Sequence, residues 1–328
     1  MVKIVLHTAF VLLLLSVALA QNMPDYTGPW RSSLDGPSSC WTQPRSECNR
    51  PLYVMHGGDW DVVKYPYDSF PAFDKAFVNG ADAIKGDFRV NADNAGMVMH
   101  SSPILAYESP QCYNKKVEDM STAQCEACPM ELSDYTFISA ETLLSWAQGK
   151  INCMFCVKDT KDIPRAVDSL LQYNATHRAF LEVGVDDYKN SVGQGTGGPQ
   201  AAAANWEQVW WVVEVSCHAD VAALLALPSE ARERAFLVEF NNWEDTDDAD
   251  HWQSVEEQQS DIASCNAAGL RTFAPTNSNA AQATVQNHLD IYSRGFDAVY
   301  SYNLQHANDA RTQVALQRGL PVSSDGEE

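Results

Sequence analysis

Short apolar runs alternate with amphipathic stretches along most of the chain. Short runs rich in Val, Ile and aromatic residues predict strands, and apolar residues three or four apart predict helices between them. The predicted strands are Pro51–His56, Ala83–Val90, Lys150–Lys158, Arg178–Val183, Gln208–Ser216, Ala235–Asn241, Leu270–Pro275 and Asp297–Asn303. The predicted helices include Phe70–Phe77, Ala140–Trp146, Ile163–Tyr173, Ala219–Ala226, Ser254–Ala268, Ala280–Ser293 and Ala307–Arg318.

Strands that alternate with helices favour parallel βα units, and therefore an α/β fold. We predict a closed (β/α)8 TIM barrel over residues 51–320, because eight such repeats suit a closed barrel better than an open sheet. Periodicity alone leaves a doubly wound open sheet as an alternative.

One segment, residues 101–139, does not follow this alternation. It holds three cysteines and three prolines, and its apolar residues show little periodicity. Long loops in barrels usually lie on the carboxyl-terminal face and shape the site there. We therefore predict an insertion at 101–139 that borders the site; a disulfide-pinned segment that only protects the barrel is the alternative.

Both ends of the chain differ in composition from the predicted barrel. Residues 1–20 are typical of a signal peptide, with Lys3, an apolar run and the small residues Ala18 and Ala20 before a cleavage point. The run is short for a membrane span, which needs roughly 20 residues. We predict a secreted, extracellular protein without a transmembrane anchor after cleavage, a leader at 21–50 and a disordered acidic tail at 321–328.

Nine cysteines in a chain with a signal peptide indicate disulfides. Cys40 and Cys48 are close enough in sequence to pair within the leader, and a further bridge is expected among Cys112, Cys125 and Cys128. The CEAC and CMFC motifs also have the spacing of a four-cysteine zinc site. The second motif lies in a predicted strand, where residues three apart point to opposite faces, so disulfides or buried thiols are favoured.

The chain is strongly acidic, with 43 Asp and Glu residues against 22 Lys and Arg and a formal charge of −21. Nucleic acids and anionic membrane surfaces require a basic face, so they are not expected as main partners. Asn174 begins an Asn-Ala-Thr sequence, which predicts an N-glycosylation site in a secreted protein.

Two histidines mark the candidate chemistry. His56 closes the first predicted strand, His100 follows a later apolar run, and the acidic residue Asp87 lies between them in a strand. Two histidines at the ends of neighbouring strands can act as acid and base on one phosphodiester, because each exchanges a proton near neutral pH.

Several motifs in this order resemble the glycerophosphodiester phosphodiesterase family, within the phospholipase-C-like phosphodiesterase superfamily. They are LYVMHGG, the helix start with Pro66, Ser69, Ala72 and Phe73, GADAIKGDFRV, the VMH ending at His100, KINCMFCVK, GLRTFAPT and GFDAVYSYN. The resemblance implies a TIM barrel that acts on lipid-type phosphodiesters such as glycerophosphodiesters. It implies that His56 and His100 are catalytic, that Asp87 binds a metal, and that Lys158 faces the substrate phosphate.

The chain departs from the family pattern at the metal site. Glutamates of the family correspond to Tyr67, Lys85 and Cys156, and an arginine corresponds to Gly57. One remaining carboxylate makes a very weak site for a hard divalent cation. We therefore expect no cofactor; Ca²⁺ or Mg²⁺ fits only if the true ligands lie elsewhere. Lys85 is expected to pair with Asp87.

Three functions remain open from the sequence. With Lys85 and Lys158 holding the phosphate, His56 and His100 could hydrolyse a phosphodiester without metal. The chain could instead be a non-catalytic barrel that binds a phosphate-bearing ligand or a partner surface. A glycoside hydrolase, with Glu182 and Glu239 as its acid pair, is less favoured.

Overall fold

The computed structural model describes residues 51–61, 64–198, 202–244, 251–276 and 283–320. The predicted signal peptide, the leader with Cys40 and Cys48, and the acidic tail lie outside these ranges. The predictions made for them therefore stay predictions.

Eight parallel strands form a closed barrel. Strand β1 pairs with β10 on one side and with β2 on the other, and this second pairing closes the sheet. The barrel strands are β1 (Leu52–His56), β2 (Ala83–Val90), β5 (Asn152–Val157), β6 (Ala179–Gly184), β7 (Trp210–Val215), β8 (Leu237–Phe240), β9 (Arg271–Pro275) and β10 (Ala298–Ser301). The closed barrel is confirmed, and the open sheet is excluded.

The α-helices of the described ranges pack around the outside of this barrel or lie in the insertion. They are α1 (Phe70–Val78), α2 (Thr122–Glu126), α3 (Ala140–Ala147), α4 (Ile163–Gln172), α5 (Val185–Ser191), α6 (His218–Leu225), α7 (Ser229–Arg232), α8 (Val255–Ala267), α9 (Val285–Arg294) and α10 (Leu304–Gln317). Side-chain caps set several starts; for example, Ser69 accepts a hydrogen bond from the Ala72 amide. None of the helices in these ranges has the length and apolar character to cross a membrane.

Two short strands extend the sheet beyond the barrel: β3 (Gly96–Val98) just before the insertion and β4 (Ile138–Ser139) at its end. Strand β3 runs antiparallel to the end of β2. Apolar side chains of the insertion, such as Ile104 and Phe137, form a separate cluster together with Met97 and Met99. This cluster makes the insertion a small packed unit on the barrel rather than a loose loop.

A disulfide joins Cys112 and Cys128 inside the insertion, with the Cα atoms 5.8 Å apart. The predicted bridge among the three cysteines is therefore confirmed, and Cys125 stays a buried free thiol. Because Cys128 is used in the bridge, the structure does not support the zinc alternative.

Alternation along the barrel strands decides which side chains point inward. The interior cluster takes every second residue, for example Leu52 and Val54 in β1 and Ala83 in β2. Following this period places a set of polar residues on the same inner face. They are His56, Lys85, Asp87, Cys156, Glu182 and Glu239.

Lys85 lies in a buried charge cluster in the barrel interior. Its Nζ is 2.5 Å from Glu182 Oε1 and 3.9 Å from Glu239 Oε2. Its ammonium also lies over the Tyr300 ring, 4.3 Å from the centroid. Burial opposes the charge, but Glu182 and Glu239 outweigh it and raise the pKa of Lys85 well above its usual value. The expected pair with Asp87 is wrong, because barrel closure brings two glutamates to Lys85.

One of the two glutamates has a shifted pKa. Burial, and next the nearby charge of Glu182, raise the pKa of Glu239 well above its usual value. Glu239 is therefore protonated more readily than an ordinary glutamate, which lessens the negative charge beside the Lys85–Glu182 pair. A barrel interior tolerates this arrangement, since a buried charge without a partner is costly.

Replacing Glu239 tests this assignment. Because the pKa of Glu239 is higher in the folded state, its full contribution to stability is present below its unfolded-state pKa of about 4.3. That contribution is lost as pH rises through the folded-state pKa. Glu239→Gln removes this titration while keeping the shape. We expect the melting temperature of the variant, relative to that of the wild type, to rise steadily between pH 5 and pH 8.

The exposed Glu233→Gln is the matched control. The difference in melting temperature between this variant and the wild type should stay constant over the same pH range. A melting-temperature difference for Glu239→Gln that is flat, or that shrinks with rising pH, would show that Glu239 is ionised in the fold.

Candidate functional site

Asp87 is fully buried in β2, and protein groups occupy both of its carboxylate oxygens. Lys158 Nζ lies 2.7 Å from Oδ1, and the Tyr67 hydroxyl donates to Oδ2 over 3.0 Å. The Asp87 amide donates to the neighbouring Asp68 at 3.2 Å. Burial opposes the charge on Lys158, but Cys156 and Asp87 raise the pKa of this lysine, so it stays an ammonium.

The Tyr67 hydroxyl also links Asp87 to the first candidate histidine. It lies 2.5 Å from His56 Nε2. A hydroxyl has one proton, and Tyr67 gives it to Asp87, so His56 Nε2–H is the donor in this contact. Burial, followed by the charges of Lys85 and Lys158, lowers the pKa of His56 well below its usual value. His56 is thus a neutral imidazole whose Nδ1 lone pair has no hydrogen-bond partner among the described residues.

Tyr67 fits its position because residue 57 is glycine. Gly57 has φ +67°, which favours glycine, and a Cβ there would lie 2.2 Å from two ring carbons of Tyr67. A longer side chain at residue 57 could not coexist with this tyrosine orientation. The departures at Gly57 and Tyr67 are therefore one coupled change.

The residues at the expected metal position do not fit a divalent cation. Hard cations need several oxygen ligands, whereas this position offers Asp87, whose oxygens already contact an ammonium and a hydroxyl. Burial, then the charge of Glu182, raises the pKa of the Cys156 thiol well above its usual value, so it is no thiolate ligand. Across the described ranges, no three His, Cys, Asp or Glu side chains are grouped to hold a metal ion.

His100 lies near His56, but it does not follow one of the parallel barrel strands. It follows the antiparallel strand β3, because the chain turns back after β2 to enter the insertion. Its Nδ1 is 2.9 Å from Ser101 Oγ and 3.3 Å from Glu108 Oε1. The Tyr67 ring lies between the two imidazoles, with centroid distances of 5.1 Å to His56 and 6.1 Å to His100. One small ligand can therefore reach both histidines.

A cavity of about 460 Å³ opens beside these two histidines. Its lining residues are His56, Trp60, Pro66, Tyr67, Asp68, His100, Tyr107, Glu108, Met130, Glu131 and Phe137. Five of them, from Tyr107 to Phe137, belong to the insertion, which therefore shapes the site rather than only protecting the barrel. Among the described residues, no lysine or arginine lines it.

The predicted site residues divide between this cavity and the barrel interior. His56 and His100 line the cavity, while Lys85, Asp87, Glu182 and Glu239 lie below it in the barrel. The side chain of Lys158 is 21% exposed but does not line the cavity. The roles of Lys85 and Lys158 at a phosphate stay predictions, which these positions do not favour.

Sequence reasoning missed most of the cavity wall. Trp60, Tyr107, Glu108 and Glu131 lie on irregular backbone, where side-chain direction has no period. Tyr67 entered the sequence argument only as a replaced glutamate. The sequence feature that could have indicated its role is its position directly after Pro66, shortly before α1 begins.

The fold, but not the sequence, matches known proteins. No protein-family model and no curated protein sequence matches the chain. A glycerophosphoryl diester phosphodiesterase from Parabacteroides distasonis superposes with a TM-score of 0.62 at 15% identity, over 85% of this chain and 90% of that chain. A glycerophosphodiester phosphodiesterase from Agrobacterium tumefaciens gives 0.57 at 16% identity, over 79% and 99% of the two chains.

A third similar structure contains a ligand. It is a phosphodiesterase from Oleispira antarctica in complex with the product sn-glycerol-3-phosphate. The TM-score is 0.59 at 16% identity, over 82% of this chain and 99% of that chain. The chain therefore has the (β/α)8 barrel fold of the glycerophosphodiester phosphodiesterase structures.

Proposed function

We propose that this chain is a secreted barrel that binds a small ligand in its cavity and does not carry out metal-dependent phosphodiester hydrolysis. The observation that carries the proposal is the engagement of Asp87 by Lys158 and Tyr67. A divalent cation would have to displace an ammonium from the one remaining carboxylate. Without the cation, the reaction loses a Lewis acid that contributes several kcal/mol.

The charge of the cavity supports the same proposal. Glu108 and Glu131 line it, and the chain carries a formal charge of −21. A phosphodiester is an anion, so it meets an unfavourable potential, and no lysine or arginine of the described ranges lines the cavity to offset it. The cavity itself is of a size typical of ligand sites.

Metal-free hydrolysis is a second candidate, favoured by the two imidazoles on one cavity. The Nδ1 lone pair of the neutral His56 could accept a proton from water, and a protonated His100 could give one to the leaving oxygen. The carboxylate pair of a glycoside hydrolase has no such support. Glu182 and Glu239 are buried against Lys85 and do not line the cavity.

Secretion and glycosylation belong to the proposal as well. Residues 1–20 support export, and a Cys112–Cys128 bridge persists in oxidising compartments. Asn174 is exposed just after α4, where an oligosaccharide can attach. We expect protein from the medium of cultured eukaryotic cells to lack residues 1–20 and to lose mass with Asn174→Gln. Intact-mass measurement checks both, and full-length protein retained in the cells would contradict export.

Metal titration tests the proposed loss of the cation site. Ca²⁺ or Mg²⁺ should neither raise the melting temperature of the wild type nor stimulate hydrolysis of a glycerophosphodiester, because a ligand stabilises only what it binds. Tyr67→Glu with Lys85→Glu and Cys156→Glu rebuilds carboxylates around Asp87. That variant should gain at least about 2 °C with the ion, roughly 1 kcal/mol for a chain of this size.

The matched control replaces the same three residues by Gln, which adds oxygen ligands without charge. Metal-stimulated turnover by the wild type would overturn the proposal. Turnover that needs no metal and disappears with His56→Ala and with His100→Ala would instead establish the second candidate.

A double-mutant cycle tests the coupling of Gly57 and Tyr67. Gly57→Ala should lower the free energy of unfolding by about 2–5 kcal/mol, since the new Cβ meets the tyrosine ring and φ is positive. In a Tyr67→Ala background, only the backbone strain of about 1–2 kcal/mol should remain. Urea denaturation of the four proteins gives the coupling.

Gly149→Ala is the matched control, because Gly149 has φ +68° and no atom within 4 Å of an added Cβ. It should show the backbone strain alone. Equal losses for Gly57→Ala with and without Tyr67 would disprove the coupling.

A further inference from the structure

The cavity wall combines aromatic rings with carboxyl groups. Trp60, Tyr67, Tyr107 and Phe137 supply the rings, and Met130 and Pro66 add apolar surface. Aromatic faces attract cations through their quadrupole, most strongly where water is excluded. A wall of this composition is suited to an apolar body that carries a positive charge.

Within the described ranges, no lysine or arginine of the protein lies over the face of any of these four rings. Elsewhere in the barrel, lysine and arginine groups lie over other aromatic rings. Those rings are Tyr53, Tyr65, Trp146, Trp210, Trp243 and Tyr300. Many aromatic rings of the protein thus contact one of its own cations, whereas the four rings that line the cavity do not.

Acidic groups on the insertion complete the electrostatic picture. Glu131 and Glu108 line the cavity from that side, and Glu108 already contacts His100 at 3.3 Å. The lysines of the neighbourhood are used in ion pairs, Lys85 with Glu182 and Lys158 with Asp87. Positive charge is therefore the missing element in the cavity, and negative charge is already present.

We propose that the cavity binds a small organic cation, a protonated primary or secondary amine on an apolar body without a phosphate group. The ammonium lies between Glu108, Glu131 and the aromatic rings, and the apolar body packs on Phe137 and Met130. This inference rests on the proposed binding function and names the ligand class of the same site.

Isothermal titration calorimetry with three matched probes tests the ligand class. The probes are 2-phenylethylamine, 2-phenylethanol and 2-phenylethyl phosphate, which share the phenylethyl body and end in a cationic, a neutral and an anionic group. At pH 7 the amine should bind about 10-fold tighter than the alcohol or better, in line with a desolvated cation–π contact and a charge-assisted hydrogen bond. The phosphate should bind more weakly than either.

Variants locate the charge recognition. Glu131→Gln should weaken binding of the amine about 5-fold or more and leave binding of the alcohol unchanged, because glutamine has the shape of glutamate without its charge. Trp60→Leu should weaken the amine through loss of a ring face. Glu233→Gln, exposed and outside the cavity lining, is the control and should change neither.

The outcomes separate this inference from the function on which it rests. Equal affinity for amine and alcohol, no amine binding by a folded protein, or tighter binding of the phosphate would each overturn the cation class. None of these results restores metal-dependent hydrolysis. Metal-stimulated diesterase turnover by the wild type overturns the proposed function, regardless of whether the protein binds the amine.

Discussion

A closed barrel turns every second strand residue into a space that has little water, so each inward charge has to be neutralised there. This constraint governs the region below the cavity. Lys85 is matched by Glu182, and burial raises the pKa of Glu239 beside them. Asp87 is matched by Lys158 and a tyrosine hydroxyl. Each group therefore contains its own counter-charge.

Internal neutralisation explains why the departures from the family pattern occur together. A lysine in place of a metal-binding glutamate would be a buried unpaired charge without Glu182. A tyrosine in place of another glutamate would have no room for its ring without Gly57. Each change is stable only with its partner, as expected when neighbouring residues contribute non-additively. The region is therefore a repacked polar core rather than a damaged metal site.

The sequence predicted the barrel well because alternation and apolar runs are local signals. All eight barrel strands lie within two residues of their predicted ends, and the shared inner face of Lys85 and Asp87 also follows from period two. The partner of Lys85 could not be predicted, since Glu182 reaches it only from β6, across strand β5. The antiparallel direction of the strand before His100 could not be predicted either, because an antiparallel return leaves the same apolar signal as a parallel strand.

The cavity could not be predicted for a related reason, and this bears on function. Its barrel-side wall comes from strand ends and the start of α1, but much of its charge and aromatic surface comes from the insertion, including Tyr107, Glu108 and Glu131. Fold similarity to phosphodiesterases reports on the barrel, which sets where a ligand can lie. The chemistry that such a ligand must offer is set by the insertion. Since no lysine or arginine of the described ranges lines the barrel side and the insertion supplies carboxylates, the insertion sets the charge of the cavity.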